Sequence, residues 1–123
     1  MNKHVKMITV NMLPYSPDAP TVEQTEVLKY CEKYMERTND FPTLVAISSG
    51  KIGNEQIIKP AAGTSNAHRK LCELWRRGRL GWRWRKGRQH QFMLRDDAAR
   101  YHQQACEMYG QLPYGTDAPE EHS

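Results

Sequence analysis

The chain has 123 residues, 38% of them apolar and 26% charged, with a formal net charge of +4. That length fits one compact domain with short tails, and so modest an apolar fraction excludes a large core in favour of amphipathic elements. No apolar run reaches the length of a membrane span, and residues 1–13, MNKHVKMITVNML, lack the apolar stretch and cleavage site of a secretory signal, so a cytoplasmic protein without membrane attachment is expected.

Residues 5–12, VKMITVNM, alternate at Ile8, Val10 and Met12, the period of a short strand or an extended arm. The proline-rich LPYSPDAP that follows reads as a connector, so residues 1–20 form an N-terminal arm and linker. A helix start comes next: Thr21 as N-cap with Gln24 three residues on forms a capping box, and Glu23 and Glu26 suit the positive end of the helix dipole. Val27, Leu28, Cys31, Tyr34 and Met35 recur at helical spacing, and the turn residues Asn39 and Asp40 should end the helix near Thr38.

The segment FPTLVAISSGKIGNEQIIKPAAG admits two readings. Either residues 43–49 form a second helix, capped by Thr43, or Leu44 to Ser48 is a strand and residues 54–62 hold the helix. Pro60 speaks against a helix that runs far past it, and the first reading is preferred.

From Ser65 the pattern sharpens. Ala67, Leu71, Leu74 and Trp75 fall on one helical face, while His68, Arg69, Lys70, Glu73, Arg76 and Arg77 take the rest, and Gly78 is placed to cap the C-terminus. Leu80, Trp82 and Trp84 then alternate with Gly81, Arg83 and Arg85, and Phe92 and Leu94 continue the alternation on a second strand. A three-residue loop Arg85-Lys86-Gly87, with Gly87 left-handed, would pair Trp84 with Arg88, Trp82 with His90 and Leu80 with Phe92, keeping aromatics on one face and arginines on the other. Asp96 or Asp97 should cap a last helix over 96–110, with Ala98, Tyr101, Ala105 and Met108 inward and Gly110 and Pro113 as stops. Residues 111–123 read as a flexible acidic tail.

Charge is distributed unevenly along these elements. Residues 64–95 hold ten Lys or Arg against a single acid, Glu73, whereas the chain outside 64–100 has seven bases against eleven acids. Such a stripe suits a polyanion, because neutralised phosphates release counterions. The three cysteines, Cys31, Cys72 and Cys106, are widely spaced with no disulfide framework and read as small apolar residues of a reducing compartment. His68-x3-Cys72 and His102-x3-Cys106 have the one-turn spacing that metal ligands can take, yet leucines flank Cys72 and no Cys/His knuckle is present, so no metal and no cofactor is expected. Ser49-Gly50-Lys51 lacks the upstream glycine of a phosphate loop, since Val45 stands there, and Ser48-x2-Lys51 sits in a chain too short for a penicillin-binding fold. With no paired carboxylates either, no catalytic residues and no enzyme activity are expected.

Helix, variable middle, helix ending in Gly, then a basic hairpin: this order resembles the winged helix-turn-helix. Leu71-x2-Leu74-x3-Gly78-x-Leu80 looks like the passage from recognition helix to wing, and Thr21, Gln24, Val27, Pro42 and Thr43 match a pattern in the DNA-binding domain of the SOS-response repressor family. The resemblance spans residues 21–95. It departs in having no self-cleaving protease domain and a longer interval from Thr43 to Leu71. It implies an α+β fold: a three-helix core with a β-hairpin wing, here with an extra C-terminal helix and a short N-terminal strand or arm. It implies double-stranded DNA as partner and a bacterial or phage transcriptional regulator as function. An architectural factor in replication, excision or packaging, and a protein-binding winged helix docking an acidic partner, stand as alternatives.

On that resemblance the helix from Ser65 would enter the major groove by its N-terminal end. Ser65, Asn66, His68 and Arg69 are then the base-reading candidates, with Lys70 and Arg76 on phosphate. Arg83, Arg85, Lys86 and Arg88 would form the wing. Asn66 has a second reading as a helix cap, and Arg76, Arg77 and Arg79 as partners of the helix dipole, while Trp75 reads as core and Trp82 and Trp84 as hairpin core in preference to base stacking. A homodimer on palindromic half-sites would use the last helix and the N-terminal strand as its candidate surfaces.

Overall fold

The computed structural model describes residues 7–85 and 89–119, and within them the chain is mixed α+β, with four α-helices and two small antiparallel sheets of two strands each. The chain forms two compact units, one of residues 18–74 and one joining residues 1–17 to 75–123, so the span 21–95 is divided between them, at Leu74 and Trp75. No helix among the described residues is long and apolar enough to cross a membrane.

The unit of residues 18–74 begins with α1 (Val22–Thr38), whose start follows the capping box: Gln24 N donates to Thr21 Oγ1 and Thr21 N donates back to Gln24 Oε1. Asn39, in the left-handed region at φ 59°, ends it. The buried face is Gln24, Val27, Tyr30 and Cys31, with Leu28, Tyr34 and Met35 only half-buried, so the apolar stripe read from the sequence is rotated by part of a turn. The second helix is α2 (Leu44–Ser49), capped by Thr43, whose Oγ1 accepts from Ala46 N. Of the two sequence readings, the first holds. The stretch from residue 54 instead turns back, as β1 (Lys51–Ile52) and β2 (Glu55–Gln56) form a minimal hairpin around it.

Tyr30 joins these pieces. Its hydroxyl lies 2.9 Å from Ala46 O and 2.6 Å from Lys51 O, so its single proton is offered to the last turn of α2 and to β1. Gly50, between those elements, has φ +70°, and a Cβ there would sit 2.3 Å from Ile58 O. No side chain fits that approach. The unit closes with most of α3 (Thr64–Arg76), where Ala67, Leu71, Cys72 and Leu74 are buried.

The other unit is built on the hairpin of β3 (Leu80–Arg85) and β4 (Gln89–Leu94). Its register pairs Leu80 with Leu94, Trp82 with Phe92, Trp84 with His90 and Arg85 with Gln89. This corrects the expected pairing by two residues while preserving the face of every side chain. Leu80 and Trp82 now each meet an apolar side chain across the strands, whereas the expected pairing would have set Trp82 against His90 and left Leu94 beyond the ladder. The expected left-handed Gly87 lies outside the described residues, as do Lys86 and Arg88.

A short extended segment of the N-terminal arm lies against β3. Asn11 N donates to Trp82 O (2.8 Å), Trp82 N to Asn11 O (3.0 Å), and on the arm's other side Gly115 N donates to Val10 O and Met12 N to Gly115 O. Met7 and Ile8, expected in a strand, are helical. The expected loose tail is therefore hydrogen-bonded as far as it is described. Trp82 Nε1 donates to Asp117 O at 2.8 Å, Tyr114 stacks on His102 with ring centroids 3.9 Å apart, and Pro119 is fully buried.

Helix α4 (Arg95–Tyr109) completes the unit. Its N-cap is Leu94, without a side-chain hydrogen bond, so Asp96 and Asp97 sit in the first turn, where they favour the dipole without capping. Ala98 packs with Val10 and Met12, and Gly81 allows this contact, since a Cβ there would come within 2.7 Å of Ala98 Cβ. Met108, expected inward, is 72% exposed.

Candidate nucleic-acid interface

The first turns of α3 carry most of the expected base-reading residues. Ser65 and Arg69 are exposed, and Arg76 is exposed at the helix's far end. Asn66 is half-buried inside the first turn, so it does not cap the helix, and its Oδ1 accepts from Arg69 Nη2 at 2.5 Å. A bidentate pair with adenine needs both the oxygen and the nitrogen of the amide. In this arrangement the amide oxygen of Asn66 is already engaged by Arg69.

Lys70 and His68 are turned to other partners. Lys70 Nζ is hydrogen-bonded and ion-paired to Glu23, its side chain only 16% exposed. The hydrogen bond from Lys70, with its charge behind it, holds the Glu23 carboxyl below the ordinary carboxylate range. Glu23 lies in the first turn of α1, the position its charge favours. His68 is half-buried with its ring nitrogens 3.7 and 3.8 Å from Cys72 Sγ. Cys106 Sγ stands 3.5 Å from His102 Nε2 in the same i, i+4 relation, and among the described residues no third His, Cys, Asp or Glu joins either pair.

Two contacts tie α1 to α3. Besides Lys70 with Glu23, Gln24 Nε2 donates to Glu73 Oε2 at 2.7 Å. Glu73, the single acid of the basic stretch, is thus occupied in holding helices together. Between α1, α2 and the first turns of α3 lies a groove of about 330 Å³, whose lining includes Glu23, Val27, Ile47, Asn66 and Lys70.

The hairpin divides its arginines. Arg85 is exposed, its Nη1 donating to Gln91 Oε1 at 2.9 Å. Arg83 is half-buried, its guanidinium 4.6 Å from the centre of the Tyr101 ring on α4. The arginine face of the ribbon is therefore partly covered by α4, and Arg83 is held against protein. Cation and ring attract through the ring's quadrupole, and the long stem of Arg83 packs over apolar surface.

Two further arginines of the stripe serve the fold. Arg95 Nη1 donates to Leu13 O at 3.1 Å and to Gly78 O at 2.7 Å. Arg79, 9% exposed, donates to Ser16 O and Arg77 O, with its guanidinium 3.6 Å from the Tyr15 ring centre. Both clamp carbonyls of the arm and of the α3 end. The reading of Arg79 as a dipole partner missed the contact with the arm, because Ser16 lies 63 residues away in sequence.

The aromatic face of the ribbon is graded. Trp82 is fully buried and Trp75 is 3% exposed, with Trp75 Nε1 donating to Asn11 O at 3.1 Å. Both are core, as expected. Trp84 and its cross-strand neighbour His90 are only half-buried, their ring centroids 4.9 Å apart. No family model matches the chain, and no curated protein or solved structure matches it either.

Proposed function

We propose that the chain is a winged helix-turn-helix protein that binds double-stranded DNA, with α3 as recognition helix and the β3–β4 hairpin as wing, and that it acts as a sequence-specific transcriptional regulator without catalytic activity. The observation that carries this reading is α3 itself. One face, Ala67, Leu71, Leu74 and Trp75, is buried along its length, while Ser65, Arg69 and Arg76 are exposed. The order of elements supports it further: α1, a short α2, an amphipathic α3, then at once a hairpin bearing an exposed arginine. A recognition helix needs a buried face to fix its orientation and an outward one able to meet both base edges and phosphates. Ser65 and Arg69 would read bases, with Arg69 suited to guanine, and Arg76 and Arg85 would lie on phosphate.

Among the described residues of the N-terminal arm, Asn11 is bridged on both sides within the chain, so no open edge for a second copy lies there. Pairing of two copies on a palindromic site would instead use the outer side of α4, where Met108 and Tyr109 are exposed.

The test is fluorescence anisotropy on a 20-base-pair duplex of random sequence, titrated with salt. Log affinity should fall with log salt by about 0.9 per phosphate contacted, and Arg69→Glu and Arg85→Glu should each weaken binding at least about fivefold. Selection from a random library should then enrich one sequence. Binding with no enriched sequence would point to an architectural role, and indifference to duplex at low salt would point to an acidic protein partner.

A further inference from the structure

Of the three tryptophans, two are sealed in the interior and one is not. Trp84 lies near the end of β3, edge-on to Trp82 at 78° with centroids 5.1 Å apart, and tilted at 59° to His90. His90 in turn sits 4.6 Å from Trp82. The three rings form one cluster whose inner member is fully buried and whose outer members, Trp84 and His90, are half-buried. Trp82 anchors it through its hydrogen bond to Asp117 O, so the outer rings stand on a fixed base. An indole held rigidly at a partly open position loses little further conformational freedom when a flat ring stacks on it.

Charge favours one kind of flat ring. Arg85, exposed, follows Trp84 directly. Because successive side chains of a strand alternate, Arg85 lies on the opposite face of the ribbon, so it attracts the nucleic-acid backbone without touching the ring that stacks. Aromatic rings with a nearby cation suit unpaired bases, because every base has a π-face and stacking does not depend on sequence. A fully paired duplex hides those faces.

We propose that the Trp84 indole, braced by His90, is a stacking platform for an unpaired nucleobase, so that the protein prefers DNA with a locally opened or single-stranded segment over uninterrupted duplex. This rests on the DNA-binding reading above and adds the substrate class.

The experiment compares a 20-base-pair duplex with the same duplex carrying a four-nucleotide mismatched bubble, by anisotropy and by tryptophan emission. The opened DNA should bind about tenfold more tightly and quench the emission. Trp84→Ala should abolish the preference. Trp84→Phe, which keeps a stacking ring, should retain most of it while losing the quench. Equal affinity for both DNAs without quenching, in the unaltered protein, overturns the platform and leaves duplex binding standing. No binding to either DNA overturns both.

Discussion

Tyr30 is fully buried on α1, and burial, followed by the nearby Tyr34 and Cys31, raises its phenol to about 12 from an ordinary value of 10. A group whose folded pKa is raised contributes stability that is complete below the unfolded value and is lost as pH climbs through the folded one. Here the window is pH 10 to 12, where ionisation also removes the proton offered to Ala46 O and Lys51 O. Thermal midpoints measured from pH 8 upward should fall across that window in the native chain. Tyr30→Phe should start lower and fall less steeply, and parallel curves would refute the assignment. Burial raises the Cys31 thiol as well, which keeps it protonated and unreactive at neutral pH. Cys31 lies on the stripe read from the sequence, but the burial of Tyr30 was not legible, since that stripe placed Tyr34, and not Tyr30, on the apolar face. Helical spacing fixes the existence of a face more firmly than its centre, and Gln24, polar and buried through its bond to Glu73, widens the stripe toward Tyr30.

The elements whose ends are set by local chemistry were legible. Thr21 with Gln24, Thr43, and Gly78 each act through atoms within a few residues, and each ends or begins a helix where the sequence places it. Thr21→Ala should cost about 1 kcal/mol in urea unfolding, through the lost acceptor for Gln24 N. Face alternation in the hairpin was legible for the same reason, while its pairing depends on which groups meet across the strands. The tail was misread because its composition is polar. Its role comes from Gly115 and Asp117 meeting the arm and Trp82, contacts that no local pattern announces. A chain ending at residue 111 would leave the buried indole N–H of Trp82 without its acceptor. It should lose at least about 2 kcal/mol of stability, with thermal melting as the check. Unchanged melting would mean that the tail is an ornament to the hairpin and not part of its support.

Across the whole molecule, the basic stretch resolves into two populations. Lys70 is held by Glu23, Arg79 and Arg95 clamp carbonyls, and Arg83 lies on Tyr101. Among the described residues, part of the charge is satisfied by a carboxylate, carbonyl dipoles and a ring, while Arg69, Arg76 and Arg85 stay exposed. The sequence shows the count of cations and their alternation, but an arginine's role depends on its partners, and those lie on other elements. Cleaving the Lys70 pair by Lys70→Ala should raise the Glu23 carboxyl toward its ordinary range, as carbon-detected NMR titration would report.

The central claim is that these two populations do different work, and one comparison tests it most directly. Salt-dependent duplex affinity and thermal midpoint should be measured together for the Arg69→Ala/Arg85→Ala double variant and for Arg95→Ala, at a temperature where both are folded. The double variant should lose at least about tenfold in affinity and reduce the salt slope by about 2, with its midpoint little changed. Arg95→Ala should lose about 2 kcal/mol of stability, a midpoint drop of roughly 6–10 °C, while binding within about twofold of the native affinity. A double variant that binds as the native chain does, or an Arg95→Ala protein that melts normally yet no longer binds, would contradict the division.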